Sequence, residues 1–174
     1  ARSSRHRVPR LTDSNTGAMP DLLFVYGTLK EGFFNHAINE GRRVPGDFET
    51  VEAFPLYLVG ARCVPWMVDA PGQGQPVVGQ LFEVDAAAIA KMDVLERVDE
   101  PGLYRRATID VRPLSDPAAA PRRCQVYLGA ASRLQTDPAR AGPLREYTAE
   151  HALMYLRSGA DPSLPFGAGF QAPG

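Results

Sequence analysis

The amino-acid sequence predicts an α+β fold built on a curled or barrel-like sheet. Short apolar runs separated by Gly and Pro crowd residues 22–84, one segment of helical periodicity follows Asp85, and an alternating strand pair precedes a late helix. Strands, a central helix, further strands and a final helix together favour segregated α+β layers. Pro45, Pro55 and Pro65 cut the early runs. Proline cannot donate to a ladder, so edges and bulges are favoured over a flat central sheet.

Residues 22–26, Leu-Leu-Phe-Val-Tyr, form an apolar run ended by Gly27 and predict a buried strand. Gly27-Thr28 forces a turn, Lys30-Glu31-Gly32 is loop, and Asn35-His36 can cap or line a short helical turn ending near Gly41. Strand texture resumes over 48–54, 56–60 and 63–68, and 71–75 is an exposed loop. Residues 76–84 form another strand with Val78, Gln80, Phe82 and Val84 on one side. Asp85 is placed to cap a helix over 86–98. Residues 104–114 alternate, with Ala107, Ile109 and Val111 on one face, and 124–128 return as their antiparallel partner. A last helix is expected over 144–157, closed by Gly159.

These elements place one domain over residues 21–158. Residues 1–20 are expected to be a leader or extension, because Met19-Pro20-Asp21 resembles a translation start directly before the first strand. Residues 159–174, dominated by Gly, Pro and Ala, are expected to be a flexible tail. A chain of 174 residues has room for one core and not for two comfortable ones.

Composition narrows the function classes. Apolar residues make up 44% and charged residues 22%, and the formal net charge of −1 points to neither nucleic acid nor a membrane surface. Arg2, Arg5, Arg7 and Arg10 form the one basic cluster and are read as a solvated tail. Cys63 and Cys124 stand far apart and outside any Cys-x-x-Cys spacing, so reduced thiols in a cytoplasmic protein are expected. His6, His36 and His151 have no metal-ligand spacing, and no metal site is expected. No stretch approaches the roughly 20 apolar residues of a membrane-spanning helix.

Two features carry chemistry. On the helix after Asp85, Ala88, Ile89, Met92 and Leu95 make one apolar stripe, and Glu96 projects into it. A carboxylate aimed at a core must be paired, hydrogen-bonded or protonated, and burial raises its pKa toward the range of a proton shuttle. Glu96 is therefore either a general acid/base or a structural partner of Arg105 or Arg106, and periodicity alone does not separate the two. Asp93 and Asp99 flank the stripe and are expected to face solvent. The second feature is Tyr26-Gly27-Thr28-Leu29. A buried strand ending in Gly and Thr exposes consecutive backbone N–H groups, which can hold a carboxylate or oxyanion, although such a segment can also be a plain turn. It lacks the repeated glycines and Gly-Lys-Ser/Thr ending of a phosphate-binding loop.

In combination, Tyr26-Gly27-Thr28-Leu29-Lys30-x-Gly32-x-x-Asn35-His36 resembles the signature of γ-glutamylcyclotransferase-like proteins, in the γ-glutamylamine cyclotransferase and AIG2-like branch. Gly79-Gln80-Leu81-Phe82-Glu83-Val84, Met92-Asp93-Val94-Leu95-Glu96, Leu103-Tyr104-Arg105-Arg106 and Val126-Tyr127 follow in the family's order. The resemblance runs from about Leu22 to Gly129. It departs at Leu95 and Arg97, where relatives often carry an aromatic before the glutamate and Gly or a small residue after it.

The resemblance implies a small mixed β-barrel with flanking helices, a substrate cradle at Tyr26, Gly27, Thr28 and Leu29, and Glu96 as catalytic residue. Tyr104 and Tyr127 are candidates for lining the pocket or for core packing, and His36 for substrate contact or for a loop or capping role. The implied reaction converts a γ-glutamyl amine or amide to 5-oxoproline and a free amine, without metal, cofactor or covalent enzyme intermediate. The γ-glutamyl substrate and the oligomeric state are left open. Two other functions are compatible with the residues: a non-catalytic module of the same fold binding γ-glutamyl or amino-acid-like ligands, and an interaction protein with a vestigial pocket.

Overall fold

The computed structural model describes residues 20–159. The expected leader and tail lie almost wholly outside them. The elements are β1 (Asp21–Val25), a 3₁₀ turn (His36–Ile38), β2 (Arg42–Arg43), β3 (Phe48–Thr50), β4 (Leu56–Val59), β5 (Val64–Met67), β6 (Val78–Val84), α1 (Ala86–Leu95), β7 (Tyr104–Pro113), β8 (Arg122–Gly129), α2 (Arg133–Thr136), β9 (Ala139–Leu144) and α3 (Ala149–Arg157).

Five strands close into a barrel in the order β1-β8-β7-β3-β6, with β6 pairing back to β1 and β2 added to β6. The β1–β8 pair is parallel and the remaining barrel pairs are antiparallel, so the barrel is mixed. A second sheet, β5-β4-β9, stands beside it. No helix among the described residues is long and apolar enough to cross a membrane.

The uninterrupted apolar run at residues 22–26, most of it in β1, follows from its position. Side chains of a strand alternate between faces. Leu23 and Val25 enter one core cluster, with Trp66, Phe82, Met92, Tyr104 and Tyr127. Phe24 and Tyr26 enter the other, with Leu58, Met67, Leu81, Val126 and Leu128. A strand buried on both faces cannot carry the polar alternation of a surface strand. Cys63 and Cys124 are free and buried, and the apolar surroundings push the Cys124 thiol up to about 12.

Two expectations about helices change. The helix predicted over 144–157 begins only at Ala149, because residues 139–144 form β9 and Leu144 pairs with Leu56. Thr148 caps the shortened helix, and its N–H donates to His151 Nδ1 at 2.9 Å. The helix predicted to reach Val98 ends at Leu95. That early ending sets the direction of Glu96.

Candidate active site

Helix α1 starts where Asp85 accepts from the Ala88 N–H at 2.7 Å and ends in a tight left-handed turn. Arg97 N–H donates to Val94 O at 3.2 Å and Val98 N–H to Asp93 O at 3.2 Å. This pair of bonds is a Schellman motif, with Glu96 as the C-cap that follows the helix and Arg97 in the left-handed position at φ 55°. Glycine usually fills that position. Here an arginine does, and it pairs with Glu100 across 2.6 Å. The motif turns the chain away while keeping Glu96 on the buried stripe with Ala88, Ile89 and Met92.

The turn after β1 is held from behind. Lys30 N–H donates to Gly27 O at 3.2 Å and Asn35 N–H to Thr28 O at 3.1 Å. Asn35 Nδ2 donates to Thr28 Oγ1 at 3.0 Å, so Asn35 braces the turn and does not cap the 3₁₀ turn with its side chain. The N–H groups of Gly27, Thr28 and Leu29 make no hydrogen bond to a protein acceptor among the described residues.

These two elements meet. A cavity of about 40 Å³ is lined by Phe24, Val25, Tyr26, Gly27, Thr28, Leu29, Pro65, Glu96, Tyr104 and Tyr127. The predicted Glu96, Tyr26–Leu29 segment, Tyr104 and Tyr127 thus share one chamber. His36 does not line it. Its Nδ1 lies 3.4 Å from Leu29 O and its ring packs on Phe82, so it supports the turn from outside. His36 is thus placed at the turn and not among the residues lining this cavity.

Glu96 is 6% exposed and its Oε2 has no hydrogen-bond partner. The structural pairing with Arg105 or Arg106 does not occur, since Arg105 reaches Asp69 at 2.6 Å and Arg106 reaches Asp93 at 2.9 Å. Burial away from water pushes the Glu96 carboxyl up to about 8. The surrounding phenols offer it no relief. Tyr26 donates its hydroxyl hydrogen to Tyr127 O at 2.7 Å, Tyr104 to Pro65 O at 3.1 Å, and Tyr127 to Asp93 Oδ1 at 2.8 Å. Burial raises all three phenols above their ordinary value.

Asp93 corrects another expectation. It does not simply face solvent: its side chain is 24% exposed and held between Tyr127 and Arg106. It precedes Glu96 by three residues on one helix, and that spacing places two side chains on one face. Asp99 is exposed as expected. Pro65 was legible only as a strand interruption, yet it lines the cavity opposite Gly27, where an added Cβ would meet Pro65 Cγ at 3.0 Å.

Comparison with known proteins bears on this geometry. A family model described as gamma-glutamyl cyclotransferase, AIG2-like, matches residues 23–149. The chain belongs to this family. Family members named gamma-glutamylaminecyclotransferase from Rattus norvegicus and Homo sapiens are 38% identical over 97 residues and 34% identical over 119 residues. The matches cover 53% of this chain and 64% of the rat protein, and 61% of this chain and 76% of the human protein. The crystal structure of an AIG2-like protein from Mus musculus superposes with a TM-score of 0.62 at 31% identity, covering 76% of this chain and 91% of that one. The family segment contains β1 through the start of α3, and with them every residue lining the cavity.

Proposed function

We propose that this member of the family is a γ-glutamylamine cyclotransferase, releasing 5-oxoproline and a free amine from a γ-glutamyl amine or amide. The observation that carries the proposal is the buried Glu96 carboxyl, whose Oε2 has no hydrogen-bond partner, in a chamber lined also by the turn at 27–29. The relatives' printed names support the same chemistry. The substrate brings its own nucleophile, because the α-amine can close a five-membered ring on the γ-carbonyl, and proximity is largely supplied by the tether.

What remains for the protein is proton management and charge stabilisation. Glu96 as carboxylate takes a proton from the α-ammonium, and the freed amine forms a bond to the γ-carbon. Backbone N–H groups of Gly27, Thr28 and Leu29 receive the substrate carboxylate or the developing oxyanion. Collapse breaks the bond to the amine side. Glu96 passes the two protons shed by the α-nitrogen to the departing nitrogen, which leaves as an ammonium ion.

A carboxyl whose pKa is about 8 is mostly protonated in the empty site at neutral pH. Free-enzyme ionisations govern kcat/KM, so kcat/KM for 5-oxoproline release should rise with pH and level off above about 8. The bound ammonium favours the carboxylate, and the corresponding limb in kcat should lie at lower pH. A pH-independent kcat/KM between about 6 and 9 would contradict a proton-carrying Glu96. The test of the activity itself is a panel of γ-glutamyl amines, γ-glutamyl dipeptides and the γ-glutamyl-ε-lysine isopeptide, assayed for 5-oxoproline. Release from at least one is expected. A ligand that binds without lactam formation would favour the non-catalytic binding module.

A further inference from the structure

The hydrogen-bond polarity around Tyr127 is fixed from behind the cavity. Its hydroxyl donates to Asp93 Oδ1 at 2.8 Å, and Asp93 Oδ2 lies 2.9 Å from the Arg106 guanidinium. Arginine cannot accept and a carboxylate cannot donate, so the shared hydrogen points from Tyr127 to Asp93. The phenol oxygen is left with lone pairs alone for any other partner. Tyr26 and Tyr104 are likewise committed, to Tyr127 O and Pro65 O. The groups facing Glu96 are thus Tyr26 directly after β1, Tyr104 from β7 and Tyr127 from β8, with Asp93 and Arg106 behind the last. The same cavity is lined by residues 27–29, whose backbone N–H groups make no hydrogen bond to a protein acceptor among the described residues. The side chains around Glu96 therefore offer acceptors, and the backbone of the 27–29 turn offers donors.

We propose that Asp93 is a positioning residue that makes Tyr127 an obligate acceptor, and that this selects ligands carrying a free α-ammonium beside Glu96 over ligands whose amine is acylated. The proposal rests on the γ-glutamyl reading of the site above and adds the residue that reads the ammonium. An ammonium offers three hydrogens to an acceptor-only wall, whereas an N-acyl group brings one hydrogen and a carbonyl that finds no donor there.

The experiment is calorimetric binding of γ-glutamyl-ethylamide and its N-acetyl derivative in a Glu96→Gln background, where turnover is stopped. A charged hydrogen bond lost or misdirected should change affinity by about tenfold or more. The free-amine compound should bind at least about tenfold tighter, and adding Asp93→Asn should reduce that preference to about twofold or less. The amide introduced there can donate to the phenol oxygen and release its hydrogen toward the cavity. Tyr127→Phe should erase the preference as well. Arg106→Gln, which breaks the ion pair yet leaves the carboxylate as acceptor, should keep it, with melting temperature followed in every variant. Full preference in the Asp93→Asn variant would overturn the proposal, as would equal losses in the Asp93→Asn and Arg106→Gln variants. Failure of both compounds to bind the Glu96→Gln protein would instead remove the γ-glutamyl reading on which the proposal stands.

Discussion

Glu96→Gln should lower kcat for 5-oxoproline release by on the order of 10³-fold, within the range of about 10²–10⁴ that positioned acid/base groups supply. Glutamine keeps the shape and one carbonyl oxygen but cannot carry a proton between the two nitrogens. The same substitution should change stability in a pH-dependent way. The Glu96 carboxyl is raised from 4.5 to about 8 in the folded protein, so between those values the folded state keeps a proton that the unfolded chain releases. The associated stability is fully present below about 4.5 and lost as pH rises through about 8. The Gln variant has no such titration. Its melting temperature should match the wild type near the lower end of that window and exceed it by several degrees near pH 9. Retained turnover would remove Glu96 from the chemistry, and a wild type that melts as high as the variant at both ends would place its carboxyl in water.

The largest effect on stability is expected at Gly129, at the end of β8. An added Cβ there would lie 2.1 Å from Trp66 Cε2 and 2.2 Å from Trp66 Nε1. Trp66 has nowhere to retreat. It is 0% exposed, its Nε1 donates to Ala130 O at 3.0 Å, and its ring lies 4.3 Å from that of Tyr104. Backbone contact also fixes the strand, since Gly129 pairs with Tyr104 and bridges Val68. Forcing a methyl into such a core costs about 3 kcal/mol or more, which for a domain of this size lowers the melting temperature by roughly 10 °C. Gly129→Ala should therefore melt far below wild type. It should also lose activity below its melting point, because the displaced Trp66 ring packs against Tyr104, which lines the cavity. An unchanged melting curve would show that the indole ring is looser than its contacts imply.

The site was more legible in the sequence than the second half of the fold. Glu96 stood out because a carboxylate in an apolar helical stripe contradicts the ordinary rule for buried residues, and the run 22–26 because nothing polar interrupts it. Asp93 departs from the expected solvent-facing position for a physical reason. Periodicity sorts faces by hydrophobicity, and a carboxylate held by an arginine and a phenol looks the same in sequence as one held by water. The late helix was drawn too long for another reason. Leu144 and Tyr147 fit a helical stripe, but residues 139–144 gain a ladder with β4, whose paired residues lie 80 to 88 positions earlier in the chain, and no local pattern reports so distant a partner. The element order suggested a curled or barrel-like sheet, but not which strands close it, since pairing of β1 with β6 and β8 joins strands far apart in the chain.

The proton inventory of one side chain decides most. The ionisation of Glu96 can be followed through its side-chain carboxyl carbon by NMR across a pH series, without ligand and then with a γ-glutamyl amide bound to the protein. A midpoint near 8 in the empty site, falling when an ammonium-bearing ligand enters, is the predicted result. A midpoint at the ordinary carboxyl value of 4.5, unmoved by ligand, would contradict a desolvated base at the centre of this cavity.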